Sequence, residues 1–88
     1  MKTIHKFKLE VIDTQVIKMP VVAKVLCVQV QGQVPCMWAE VNTEVPMEMR
    51  SFSVYGTGHE LKALDHTYIG TFQMNAGRLV FHVFENNI

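Results

Sequence analysis

Thr67-Tyr68-Ile69-Gly70-Thr71-Phe72-Gln73-Met74 and Arg78-Leu79-Val80-Phe81-His82-Val83-Phe84-Glu85 flank the short link Asn75-Ala76-Gly77. Two runs rich in β-branched and aromatic residues, joined by a link whose glycine can enter the left-handed region, describe a β-hairpin. Pairing Met74 with Leu79 places Tyr68, Phe72, Met74, Leu79, Phe81 and Val83 on one face. The other face then carries Ile69, Thr71, Val80, His82 and Phe84, so it too is largely apolar. A single antiparallel layer keeps one face wet, so both faces of this hairpin need cover, from its own chain or from another.

Working outward, residues 24–31 and 34–41 form a second hairpin about Gly32-Gln33, with Gly first as a type II′ turn prefers. Its register opposes Gln31 to Val34, Val28 to Met37 and Cys27 to Trp38. Leu26, Val28, Val30, Met37, Ala39 and Val41 then share an apolar face, against Val25, Cys27, Gln29, Cys36, Trp38 and Glu40. A slip of one residue would set Glu40 among the aliphatics, which selects the two-residue loop. Segment 2–11 alternates as a half-buried strand, with lysines on its wet side. Gln15 to Met19 is extended up to Pro20, which lacks an amide donor. Met49 to Tyr55 is extended as well, with Arg50, Phe52 and Val54 on one side and Ser51, Ser53 and Tyr55 on the other. Only Glu60 to Asp65 holds helix formers, enough for a short helical turn. The expected architecture is an all-β domain over 1–88, a compact antiparallel sandwich or small barrel of about seven short strands.

Composition supports the sheet. Thirteen Val, six Thr, five Ile and eight aromatics make up 32 of 88 residues, while Ala and Leu together number nine. Lys and Arg balance Asp and Glu, eight against eight, which argues against a dedicated nucleic-acid binder. No apolar run reaches the roughly 20 residues of a membrane span, and Met1 to Lys6 lacks a signal peptide's apolar stretch. Cys27 and Cys36 match no disulfide framework and read as small hydrophobes with reduced thiols. Charge is uneven along the chain. Residues 1–24 carry a net of plus three, consistent with an edge strand whose lysines deter stray pairing.

Gly56-Thr57-Gly58-His59 is the most suggestive segment for chemistry. Two glycines let amides converge on an anion, Thr57 and His59 add donors, Tyr55 offers a ring for stacking, and Arg50 supplies a guanidinium. A plain tight turn is the competing reading of the same residues. His59, His66, Glu60 and Asp65 have ligand chemistry but no recognised zinc spacing. His82 is expected as a sheet histidine bonded to Thr71 opposite. The apolar second faces make Cys27, Trp38, Ile69, Val80 and Phe84 candidates for a homo-oligomeric interface.

A string of motifs runs in order along the chain. It comprises Met19-Pro20, Ala23-Lys24, Val28-Gln29, Pro35-Cys36 with Trp38-Ala39, Gly56 to His59, Tyr68 to Gln73, and Leu79 to Glu85. Together they resemble a family of small proteins of tailed bacteriophages and prophages, catalogued as a domain of unknown function. The resemblance implies the cytoplasm of an infected bacterium and brings no activity, cofactor or functional residue. By analogy, small accessory phage proteins act stoichiometrically against host systems. The expectation is therefore an oligomeric accessory binding protein without a cofactor. It would counter a host defence by sequestering a small anionic ligand at Arg50, Tyr55, Thr57, Gly58 and His59, or by blocking a host protein. A minor virion or assembly component is the alternative, and a metal-dependent hydrolase using His59 and His66 a second.

Overall fold

The computed structural model describes residues 1–87, and among them are seven antiparallel strands in two sheets and no helix. They are β1 (Lys2–Lys8), β2 (Gln15–Pro20), β3 (Lys24–Gln31), β4 (Val34–Asn42), β5 (Met47–Gly56), β6 (His66–Met74) and β7 (Leu79–Asn86). The first sheet has the order β1-β4-β3 and the second β2-β5-β7-β6. The sheets face each other across one core and do not close into a barrel. Met37, Ala39, Val41 and Val28 project from one layer, and Met19, Phe52, Val54, Phe72 and Val83 from the other. No helix among the described residues is long and apolar enough to cross a membrane.

Both hairpins adopt the expected register, with Val28 opposite Met37 and Met74 opposite Leu79. Two bulges correct the expected faces. Between Val25 and Cys27 the ladder skips Leu26, so Val25 turns to the core and Leu26 stays half-exposed. Between Tyr68 and Gly70 it skips Ile69, which packs against the core while Tyr68 moves to the outer face opposite Phe84. An extra residue in one strand reverses every side chain beyond it. The turn at Gly32-Gln33 is also of a different type. Both residues have positive φ, 55° and 67°, as type I′ requires, rather than Gly alone as in type II′.

All four sheet edges are blunted. β1 presents Lys2, Lys6 and Lys8, β2 ends on Pro20, and β3 and β6 each carry a bulge. The expected helical turn at 60–65 is absent, and the segment crosses the outer face of the second sheet as an irregular strap. Six residues cannot offset helix nucleation, and His66 begins the next strand at once. Beneath the strap, β5 is covered on both sides, so Phe52, Ser53, Val54 and Tyr55 are all buried.

Candidate functional site

The turn at 56–59 uses two of its amides and the Thr57 hydroxyl internally. The His59 amide donates to the Gly56 carbonyl at 3.0 Å, and the Thr57 amide to that of Val80 at 3.1 Å. Gly58 sits at φ +87°, which a side chain would strain. The His59 ring lies on Gly56, where a Cβ would approach its Cε1 to 2.9 Å. Thr57 Oγ1 is 2.7 Å from His82 Nε2, and His82 Nδ1 is 2.9 Å from Thr71 Oγ1, which in turn bonds the Tyr68 hydroxyl. His82 is thus held between two threonines, with Thr71 opposite as the alternation implies. Two of the amides that an anion cradle would use, those of Thr57 and His59, are thus taken up within the chain.

Arg50 lies elsewhere. It shares the inner side of β5 with Phe52, whereas Tyr55 is on the outer side and five residues further, about 17 Å along an extended strand. Its guanidinium forms a bidentate pair with Glu85, Nε to Oε2 at 2.6 Å and Nη2 to Oε1 at 2.7 Å, and Nη1 donates to the Ala23 carbonyl at 2.6 Å. The hydrogen bond from Glu85 raises the Arg50 pKa above its ordinary value, against a smaller opposing effect of burial. Of the five residues expected to gather, Thr57 and His59 share a shallow surface groove with Arg78 and Val80. Arg50 and Tyr55 do not join them.

The two loop histidines also separate. His66 packs edge-on against Phe84, ring centroids 4.4 Å apart, with Nδ1 3.2 Å from the Ala63 carbonyl. Gly56, under His59, pairs with Phe81, and His66 pairs with Asn86, five positions along β7, which is about 17 Å. Among the described residues no three His, Cys, Asp or Glu side chains come together as a metal-ligand set. Cys27 and Cys36 are free thiols on neighbouring strands, Cys27 opposite Trp38 and Cys36 opposite Gln29. Trp38 and Cys27 are half-buried on the outer face of the first sheet. Phe84 sits at the centre of an aromatic group with Tyr55, His66 and Tyr68.

The arrangement with open chemistry lies under the strap. A groove of about 380 Å³ is floored by Ser51, Ser53, Tyr55 and Asn86, roofed by Ala63, and rimmed by Thr14, Lys62, Leu64 and Asp65. Asn86 Nδ2 donates to Ser51 Oγ and Ser53 Oγ, each at 3.0 Å, and Asn86 Oδ1 is buried without a partner. An unpaired buried acceptor is uncommon and costly. Besides the part-buried contact of the Ala63 carbonyl with His66, the strap's side-chain ties are exposed. Lys62 Nζ is 3.4 Å from Asp13 Oδ2, and Asn87 donates to Asp65 through its amide at 3.0 Å and its side chain at 3.3 Å. Leu64 is fully exposed. Sequence reasoning placed Ser51, Ser53 and Tyr55 on one face but passed over Asn86 and the strap. The available signal was two serines on a face whose neighbours are apolar.

A family model for a domain of unknown function, DUF7352, matches residues 1–88. The chain belongs to the DUF7352 family. No curated protein and no solved structure matches it. In this DUF7352 chain the two outer-face regions of the second sheet differ in how they use their polar groups. One uses the Thr57 and His59 amides and both His82 ring nitrogens in internal bonds, and the other leaves the buried Asn86 Oδ1 without a partner under the strap.

Proposed function

We propose that this DUF7352 chain is a phage-encoded accessory protein that acts by stoichiometric binding in the infected bacterium's cytoplasm. It counters a host defence by sequestering a small molecule. The observation that supports this reading is the strap-roofed groove, in which Ser51, Ser53 and Asn86 keep unused hydrogen-bonding capacity. Small-ligand sites combine apolar walls with a few placed polar groups, and Ala63 and Tyr55 supply the walls here. The ligand seat thus moves from the 56–59 turn to the Ser51–Tyr55 stretch of β5.

Association of the chain with itself belongs to the same proposal. With every sheet edge blunted, copies meet through a face, and Trp38, between Lys6 and Cys27 on the first sheet, marks that face. The test is native mass spectrometry on protein purified gently from infected cells. A multimer carrying extra mass, released on denaturation and missing from Ala63→Trp, is expected. A multimer without added mass would turn the reading toward a blocked host protein, and a bare monomer would overturn both parts. Recovery of the protein in purified particles would favour the virion-component alternative instead.

A further inference from the structure

Resting on the groove as the ligand seat, the hydrogen-bond inventory of its floor names a chemical class. With Asn86 Nδ2 donating to both serine hydroxyls, the unused groups are one carboxamide oxygen that accepts and two serine protons that donate. If the carboxamide is turned over, the serines donate to its oxygen, and the amide protons and serine lone pairs remain. Both orientations leave at least one donor and one acceptor side by side. A carboxylate or phosphate offers acceptors only, and an ammonium donors only, so neither satisfies that floor. A carboxamide or lactam edge, N–H beside C=O, does.

Charge and shape agree. No ionisable carboxylate or ammonium lies on the floor, and the rim residues Lys62 and Asp65 are of opposite sign. Lys62 is further neutralised by Asp13. Tyr55 below and Ala63 above are apolar walls that suit a flat ring, and because Ser53 and Tyr55 are only 1% and 3% exposed the ring reaches them as the strap lifts. We infer that the groove under the strap takes a neutral, planar carboxamide or lactam, rather than the anion expected at the 56–59 turn.

Three isosteric probes decide it: benzamide, benzoate and benzamidine, which share a ring and differ in the donor and acceptor pattern. In amide-resolved NMR titrations, benzamide is expected to shift Ser53, Tyr55, Ala63 and Asn86. Benzoate and benzamidine should bind roughly tenfold more weakly, the cost of leaving a buried polar group unpaired. Asn86→Asp, now acceptor-only, should prefer benzamidine. Because a buried carboxylate can unfold the domain, Ala63→Trp provides a second check by filling the groove from the strap, and it should abolish the benzamide shifts. Tighter benzoate binding at these residues would overturn the carboxamide class and leave the groove as the seat. Shifts elsewhere, or none with any probe, would overturn the seat as well.

Discussion

The Gly56 end of β5 and its middle around Ser51 show what separates a structural polar cluster from a binding site. At the Gly56 end the amides of Thr57 and His59, both ring nitrogens of His82 and the Thr71 hydroxyl all have partners within the chain. Around Ser51 two hydroxyls crowd one carboxamide, and an oxygen is left over. The Gly56 end contains the residues that look functional in a sequence: glycines, histidine, threonine and a nearby tyrosine. The region around Ser51 contains two serines and an asparagine. Residue type draws attention to the first, and the inventory of donors and acceptors to the second.

The largest expected effect tests whether Arg50 is structural. Its pair with Glu85 is mostly buried, with 16% and 19% of the two side chains exposed. Arg50→Ala strands a buried carboxylate and should lower unfolding free energy by about 3–5 kcal/mol in urea titration. Replacing both partners, Arg50→Met with Glu85→Leu, should recover most of that loss. The raised Arg50 pKa fixes the pH dependence. A raised folded value means the contribution is complete below the unfolded pKa and is lost only as pH rises through the folded one. The wild-type advantage over Arg50→Ala should therefore hold from about pH 7 to 10, since arginine titrates above that range. Equal stabilities, with loss of ligand binding instead, would return Arg50 to the ligand site.

Much of the fold was legible because hairpin registers depend on local signals. Alternation and loop length identified all seven strands and both hairpin pairings. The bulges were not legible, since each interrupts alternation by one residue. Their trace is an adjacent apolar pair, Val25-Leu26 or Tyr68-Ile69, which also fits a strand buried on both faces. The turn type failed because Gln33 accepts a left-handed φ that residue type disfavours. For the site, alternation already placed Arg50 and Tyr55 on opposite sides of one strand, so their separation was readable. The strap was not. Residues 60–65 have no periodicity, and their seat over Ser53 and Tyr55 is set by packing between distant parts of the chain.

Two glycine substitutions sharpen the comparison at intermediate cost. At Gly70 an added Cβ would stand 3.2 Å from Val28 Cβ and Cγ2, where β6 packs on β3. Gly70→Ala should cost about 1–3 kcal/mol by overpacking between the sheets, read by thermal unfolding. Gly58→Ala meets open space but keeps φ near +87°, so only backbone strain of about 1–2 kcal/mol applies. Neither should alter benzamide binding. A Gly58→Ala protein of normal stability that no longer binds would reverse the roles assigned to the two regions of β5.

The smallest effect on stability concerns the strap and reaches furthest into function. Lys62 and Asp13 are 67% and 66% exposed and 3.4 Å apart. A pair so open to water contributes roughly 0–1 kcal/mol, so Lys62→Ala should leave global unfolding almost unchanged. Local opening is a separate quantity, set by the few contacts that hold one segment. Removing Lys62 leaves the strap tied through Asp65 to Asn87 and through the Ala63 carbonyl to His66. Amide hydrogen exchange should then quicken for residues 61–64 and for the Ser53 amide beneath them, with Thr57 and His82 at their wild-type rates. Benzamide association should quicken with it, since the floor is reached only past the strap. Uniform quickening across both regions of β5 would mean that the strap opens only when the sheet does, and the groove would then be part of the framework rather than a seat on it.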